Sequence, residues 1–131
     1  MIFLDTSAIY AWTDARDTNH EAAVKRLQEI LNRGEQLVTH NYVLLETITL
    51  IQARLGLSAA VKLVKDSWQF EIDWVDKHIH DLSTAALEKS AKRGVSLVDQ
   101  VSFLIMKRRN LTMAFAFDLH FKAEGFRLFE V

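Results

Sequence analysis

Five short, largely apolar, strand-like segments recur along the chain, at residues 2–4, 36–39, 70–75, 112–117 and 127–129, and stretches of helical periodicity separate them. Strands that alternate with helices constrain the fold more than any other feature of the sequence, because parallel neighbours need a crossover that covers the sheet. The expected architecture is therefore α/β, with a mainly parallel sheet covered on both faces.

The helical stretches have distinct characters. Ala22, Ala23, Leu27, Ile30 and Leu31 repeat at helical spacing with charges opposite, and Gly34 offers a stop. Tyr42 to Leu55 is apolar almost all round, as in a helix buried on most sides, and Gly56 then turns into a second helix over 58–68. Residues 79–92 are amphipathic and end near Gly94, and 97–106 form another largely buried helix followed by Lys107, Arg108 and Arg109. With 131 residues, and no repeat, linker or low-complexity tract, the expectation is one domain over residues 1–131. The absence of cysteine excludes disulfides and thiolate metal sites and suits a reducing cytoplasm. No apolar run reaches the roughly 20 residues of a membrane span, and no leader pattern opens the chain, so a soluble, unprocessed protein is expected. A formal net charge of −1 argues against a broad basic nucleic-acid face, though not against an enzyme that confines its cations to a rim.

Four acids share an unusual setting. Asp5 in "MIFLDTSAIYAW", Glu46 in "NYVLLETITLIQA", Asp99 in "GVSLVDQVSFLIM" and Asp118 in "NLTMAFAFDL" are each the only acid in a mostly apolar stretch. Asp5 and Asp118 follow strands and suit helix caps, and Asp99 stands three residues after Ser96 in a near capping box. Glu46 is harder to assign to local structure, because it sits within a helix with no Lys or Arg three or four residues away. Ligands of an open parallel sheet gather beyond the carboxyl ends of its strands, where all four acids fall. Four carboxylates in one crevice repel, and divalent cations resolve that repulsion. An oxygen donor set without Cys, and with no His at ligand spacing, suits Mg²⁺ or Mn²⁺ and hence phosphodiester hydrolysis.

The segments "FLDTSAIYAW", "HNYVLLETITLI", "SLVDQVSF" and "AFDLHF" resemble the successive acidic motifs of PIN-domain nucleases. The "DARDTNHEAA" stretch and the closing "FDLHFKAEGFRLF" look most like the VapC-type toxins of toxin–antitoxin pairs. The resemblance spans nearly the whole chain. It implies a three-layer α/β/α sandwich and an Mg²⁺-dependent endoribonuclease leaving a 5′-phosphate and a 3′-hydroxyl. It also implies an RNA substrate, a protein antitoxin and a homodimer or higher oligomer, alongside the cytoplasmic location and lack of a membrane span expected above. By motif, Asp5 and Asp99 are the direct Mg²⁺ ligands, and Glu46 and Asp118 act through water or a second ion. Ser96, Thr6 and Asn41 are supporting candidates, with capping and turn bonding as their alternative roles.

Of the remaining residues, His20 reads as a local hydrogen-bonding anchor near Asp17, and His120 is given no catalytic role. Lys107, Arg108 and Arg109 read first as a helix-end charge cluster and second as a phosphate-steering group; Arg54, Lys89, Lys92 and Arg93 are undecided. Tyr10, Trp12 and Trp68 are expected in the core. Competing readings are a housekeeping PIN-domain RNA-processing nuclease, a phosphoryl-accepting receiver or haloacid-dehalogenase-like domain, and a non-catalytic PIN-like binding module. Ser7 stands where the haloacid-dehalogenase pattern needs a second acid.

Overall fold

A computed structural model describes residues 1–90 and 92–131. Five strands form one sheet in the order β3-β2-β1-β4-β5, and all four pairings are parallel. The strands are β1 (Ile2–Leu4), β2 (Leu37–His40), β3 (Glu71–Asp73), β4 (Met113–Phe115) and β5 (Arg127–Leu128). Seven helices connect the strands among the described residues: α1 (Thr6–Thr13), α2 (His20–Asn32), α3 (Asn41–Leu55), α4 (Leu57–Ser67), α5 (Lys77–Lys89), α6 (Leu97–Arg108) and α7 (His120–Ala123). No helix among the described residues is long and apolar enough to cross a membrane.

Successive strand residues point to opposite faces, yet every residue of β1 and β2 is buried, so both faces of the sheet are covered. The aromatic contacts show which helices do this. Phe3 meets Phe121 of α7 at 5.9 Å between ring centroids, whereas Phe115, paired in register with Leu4, meets Trp12 of α1 at 5.8 Å. The chain moves from β1 outward through β2 to β3, then returns across the sheet to β4 and β5. Right-handed crossovers put the two sets of connections on opposite faces and create a topological switch point between β1 and β4. Asp5 and the segment leading to Asp118 emerge at that point.

Local chemistry sets the helix ends. Asp5 accepts the Ser7 N–H, Asp76 accepts the Ile79 N–H, and Ser96 and Asp99 form a reciprocal capping box on α6. Gly56, at φ +98°, makes the left-handed turn between α3 and α4. Arg109 bonds Asp73 at 2.9 Å and Glu71 at 2.6 Å, and Lys107 bonds Glu124 at 3.2 Å, so these two cations tie the fold together rather than steer phosphate.

Several boundaries and faces depart from the sequence reading. The fourth helical stretch is helical over Lys77–Lys89, earlier at both ends than expected, since Asp76 caps it and Ser90 is extended. Of the expected tail of that helix, Ala91 lies outside the described residues. Helix α3 is less buried than its apolar composition suggested, because Leu45 is 68% exposed and Glu46 and Thr49 share that open face. Trp68 is 75% exposed rather than core, since it follows the last turn of α4, whereas Trp12 and Tyr10 pack against the core as expected.

His40 is fully buried at the end of β2 and caps α3 through the Val43 N–H, which Nδ1 accepts at 3.3 Å. Nε2 therefore carries the proton and donates to Ser102 Oγ at 2.8 Å, and that hydroxyl donates to the Val98 carbonyl at 3.0 Å. Burial pushes His40 down to about 3, so the folded protein keeps it neutral where an unfolded chain protonates it near its ordinary 6.5. Because the unfolded state binds more protons below about pH 6.5, this group weakens the fold as pH falls towards 3. On going from neutral pH to pH 5, urea unfolding should show wild type losing about 2 kcal/mol relative to a His40→Gln variant, whatever the other titrating groups do to both. Parallel pH profiles for both proteins would refute this account.

Candidate active site

The switch point opens into a cleft of about 490 Å³, enough room for an ion and a phosphodiester group, and Asp5, Glu46, Asp99 and Asp118 all line it. Asp17 and Asn19 also line it, and neither was identified as a site residue from the sequence. Their signal was weak, because "DARDTNH" reads as an ordinary polar turn, and Asp17 Oδ1 indeed accepts the Asn19 N–H at 2.8 Å. Among the described residues lining the cleft there is no Lys or Arg.

Each acid is placed by a different device. Asp5 leaves the end of β1 with its own N–H bonded to the Phe115 carbonyl at 3.1 Å, which fixes it against β4. Its Oδ2 accepts the Ser7 N–H at 3.1 Å and the Ser7 hydroxyl at 2.6 Å, and Ser7 Oγ in turn accepts the Phe117 N–H at 2.9 Å. Ser7 therefore links the two strand ends of the switch point, a role the sequence did not reveal. Asp99 is held in the first turn of α6, where its Oδ2 accepts the Ser96 N–H at 3.0 Å. Asp118 accepts the His120 N–H at 2.9 Å. Thus local hydrogen bonding and a place in the cleft coexist for these three acids.

Glu46 is exposed and reaches the cleft from α3. The neighbouring Thr47 hydroxyl donates to Thr6 Oγ1 at 2.9 Å and so docks α3 on α1. Of the supporting candidates, Thr6 and Ser96 line the cleft, but Asn41 does not. Its Oδ1 accepts the Val75 N–H at 2.7 Å, anchoring the segment after β3. His20 is a hydrogen-bonding anchor, but to the neighbouring helix rather than around Asp17, with Nδ1 2.8 Å from the Ala11 carbonyl oxygen of α1. Arg54 stacks over Tyr10, with the guanidinium carbon 5.4 Å from the ring centroid.

The acids strain one another electrostatically. Burial, reinforced by the charges of Asp99 and Asp118 and opposed by the Ser7 hydrogen bonds, pushes Asp5 up to about 6. Burial first, and then Asp118, also hold Asp99 above its ordinary value against the Ser96 hydrogen bond. Groups that are costly to ionise in the free protein, facing one another without a cation in the lining, are suited to receiving a divalent ion.

One element of the sequence reading is corrected by the geometry. No His was expected at ligand spacing, yet His120 Nδ1 lies 2.9 Å from Asp118 Oδ1 and 3.8 Å from Asp99 Oδ2. Atoms of these three residues fall within 4.8 Å of one another, a set that does not include Asp5. The two-residue separation from Asp118 hid this, because only the turn into α7 swings the ring back over the acids.

The family model described as PIN domain matches residues 2–126. The 23S rRNA-specific endonuclease VapC20 of Mycobacterium tuberculosis, from strains CDC 1551 / Oshkosh and ATCC 25618 / H37Rv, is 35% identical over 128 residues. That alignment covers 96% of this chain and 95% of VapC20. The crystal structure of M. tuberculosis VapC20, described as a Sarcin-Ricin loop cleaving toxin, matches with a TM-score of 0.86 and 30% identity over 100% of both chains.

Proposed function

The chain belongs to the PIN-domain family and is an endoribonuclease of the VapC toxin type, and from that premise we propose that it hydrolyses a phosphodiester of ribosomal RNA with Mg²⁺, or Mn²⁺ as substitute, at the Asp5–Asp99–Asp118 cleft. The observation that carries this reading is the convergence of Asp5, Glu46, Asp99 and Asp118 on one cleft whose lining offers them no cation. Family membership displaces the phosphoryl-accepting alternative.

The donor set fits a hard divalent ion, since it is dominated by carboxylate oxygen and includes no thiolate. When bound, such an ion neutralises charge on the phosphoryl group and activates a water for in-line attack. Asp5 and Asp99 would hold it directly, Asp118 beside Asp99, and Glu46 through water from across the cleft. Ser7 and Ser96 keep the first two carboxylates oriented through the bonds described above. With Asp17 also in the lining, the cleft repels an RNA backbone unless an ion is present, so metal loading and substrate binding are coupled.

VapC-type toxins are paired with antitoxins, and we assign the antitoxin face to the apolar groove that includes Tyr42, Leu45, Leu50 and Leu97. It shares Glu46 and Leu50 with the cleft, so a protein bound there would crowd the site. The site of action is the cytoplasm, where ribosomal RNA resides. In the direct test, purified protein is incubated with 23S rRNA in Mg²⁺, in EDTA and after Mg²⁺ is restored. Discrete cleavage that disappears with EDTA and returns with metal is expected. Undiminished cutting in EDTA would remove the basis of the assignment.

A further inference from the structure

Resting on the metal-site reading above, we propose that His120 supplies a nitrogen ligand, beside Asp99 and Asp118, to the ion that Asp5 and Asp99 hold, and so raises the affinity of the site for Mn²⁺ relative to Mg²⁺. Three independent features of the fold support this. First, the ring is turned inward. The His120 side chain is 34% exposed, yet its Nδ1 is buried and has no hydrogen-bond partner. Asp118 Oδ1 lies 2.9 Å from Nδ1 and accepts the His120 backbone N–H, yet the contact to Nδ1 lacks the alignment of a hydrogen bond. A buried ring nitrogen left unpaired beside two carboxylates is costly unless something completes it.

Second, the spacing suits shared coordination. Adjacent ligands of an octahedral ion with bonds of about 2.1 Å stand roughly 3 Å apart and opposite ligands about 4.2 Å apart. The 2.9 Å from Nδ1 to Asp118 Oδ1 matches an adjacent pair, and the 3.8 Å to Asp99 Oδ2 falls between the two spacings, so one side chain has to shift by less than about 1 Å to share the ion. Third, the ring fits only beside a residue without a side chain. At Gly94, φ +84°, a Cβ would stand 3.3 Å from His120 Cε1. Glycine there leaves room for the orientation that brings Nδ1 to the acids.

An imidazole ligand discriminates between ions. Mg²⁺ prefers oxygen donors and retains its waters, whereas Mn²⁺ accepts a nitrogen more readily. Nδ1 coordination requires the neutral ring with its proton on Nε2, the nitrogen directed away from Asp118. His120 therefore stands at the same ion as the acids and shifts the balance between the two cations.

The test uses the whole protein without RNA. Mn²⁺ is titrated by calorimetry, and the bound ion is probed by pulsed electron paramagnetic resonance for coupling to a ¹⁴N nucleus. Wild type should show coupling to one imidazole nitrogen. His120→Asn should lose that signal and weaken Mn²⁺ binding at least about tenfold, with a smaller change for Mg²⁺. Mn²⁺ bound to wild type without nitrogen coupling overturns the role of His120 and leaves the carboxylate site standing. Failure of wild type to bind Mn²⁺ at all overturns both. The wild-type spectrum decides the matter even if the variant does not fold.

Discussion

Replacing Asp5 by asparagine should abolish metal-dependent RNA cleavage and, in EDTA, raise the melting temperature of the protein. Both effects come from the same burial. Asp5 is only 4% exposed, and its affinity for a proton is raised to about 6 because an ionised carboxylate there is poorly solvated and faces Asp99 and Asp118. The folded state thus binds a proton more tightly than the unfolded chain. For this group, the metal-free fold is most stable below about pH 4 and loses stability as pH rises through about 6. By pH 7 the penalty is on the order of 1–3 kcal/mol, which asparagine removes while keeping an oxygen to accept the Ser7 bonds. The expected rise is about 3–10 °C in EDTA. Mg²⁺ should narrow or reverse the difference, because the wild type gains a ligand that the variant holds poorly. Cleavage should fall by at least about a hundredfold. An Asp5→Asn protein that folds and cuts RNA at the wild-type rate would remove Asp5 from the chemistry, and equal melting temperatures in EDTA would refute the electrostatic account.

How far the sequence disclosed this arrangement depends on the scale of each interaction. The strand–helix alternation was legible because apolar runs and helical periodicity are local, and the parallel sheet follows from them. The four acids were legible for the same reason: an isolated carboxylate among apolar residues stands out. Ser7, Asp17 and His120 were not. The value of Ser7 lies in a bond to Phe117, 110 residues away. Asp17 reaches the cleft only because α1 and α2 fold back on each other. His120 depends on the turn after Asp118 and on Gly94 from another part of the chain. The burial of α3 was misjudged in the opposite sense, since an all-round apolar helix suggested burial on most sides. In the structure, α3 opens one face to solvent, and the same face carries Leu45 and Glu46. Trp68 failed for a related reason: aromatic identity reports area available for burial, not where the chain directs it.

Phe121→Ala should cost about 3–5 kcal/mol and also weaken divalent-ion binding, although Phe121 touches no ligand. The side chain is fully buried, 5.9 Å from the Phe3 ring and 5.2 Å edge-on from Phe103, so it joins α7 to the central strand and to α6. Helix α7 has only four residues and no side-chain cap, too short to hold itself in water. Its position therefore leans on this aromatic anchor, with the exposed Lys107–Glu124 bond at 3.2 Å tying its C-terminal end to α6 as a weaker second hold. Asp118 and His120 lie immediately before that anchor, and Asp99 lies on the helix that supplies Phe103. Truncation would empty the space between them and loosen two elements of the site at once. The loss approaches the whole stability of a marginal domain, so Phe121→Leu, which keeps more of the volume, separates the two consequences. The alanine variant should unfold at markedly lower urea concentration and the leucine variant at a smaller decrement. In the leucine variant, which stays folded, Mn²⁺ affinity should fall in proportion to the displacement of α7, measurable by calorimetry. Wild-type Mn²⁺ affinity in a destabilised leucine variant would show that the site is held by α6 and β1 alone, with α7 contributing stability and nothing to the geometry of the acids.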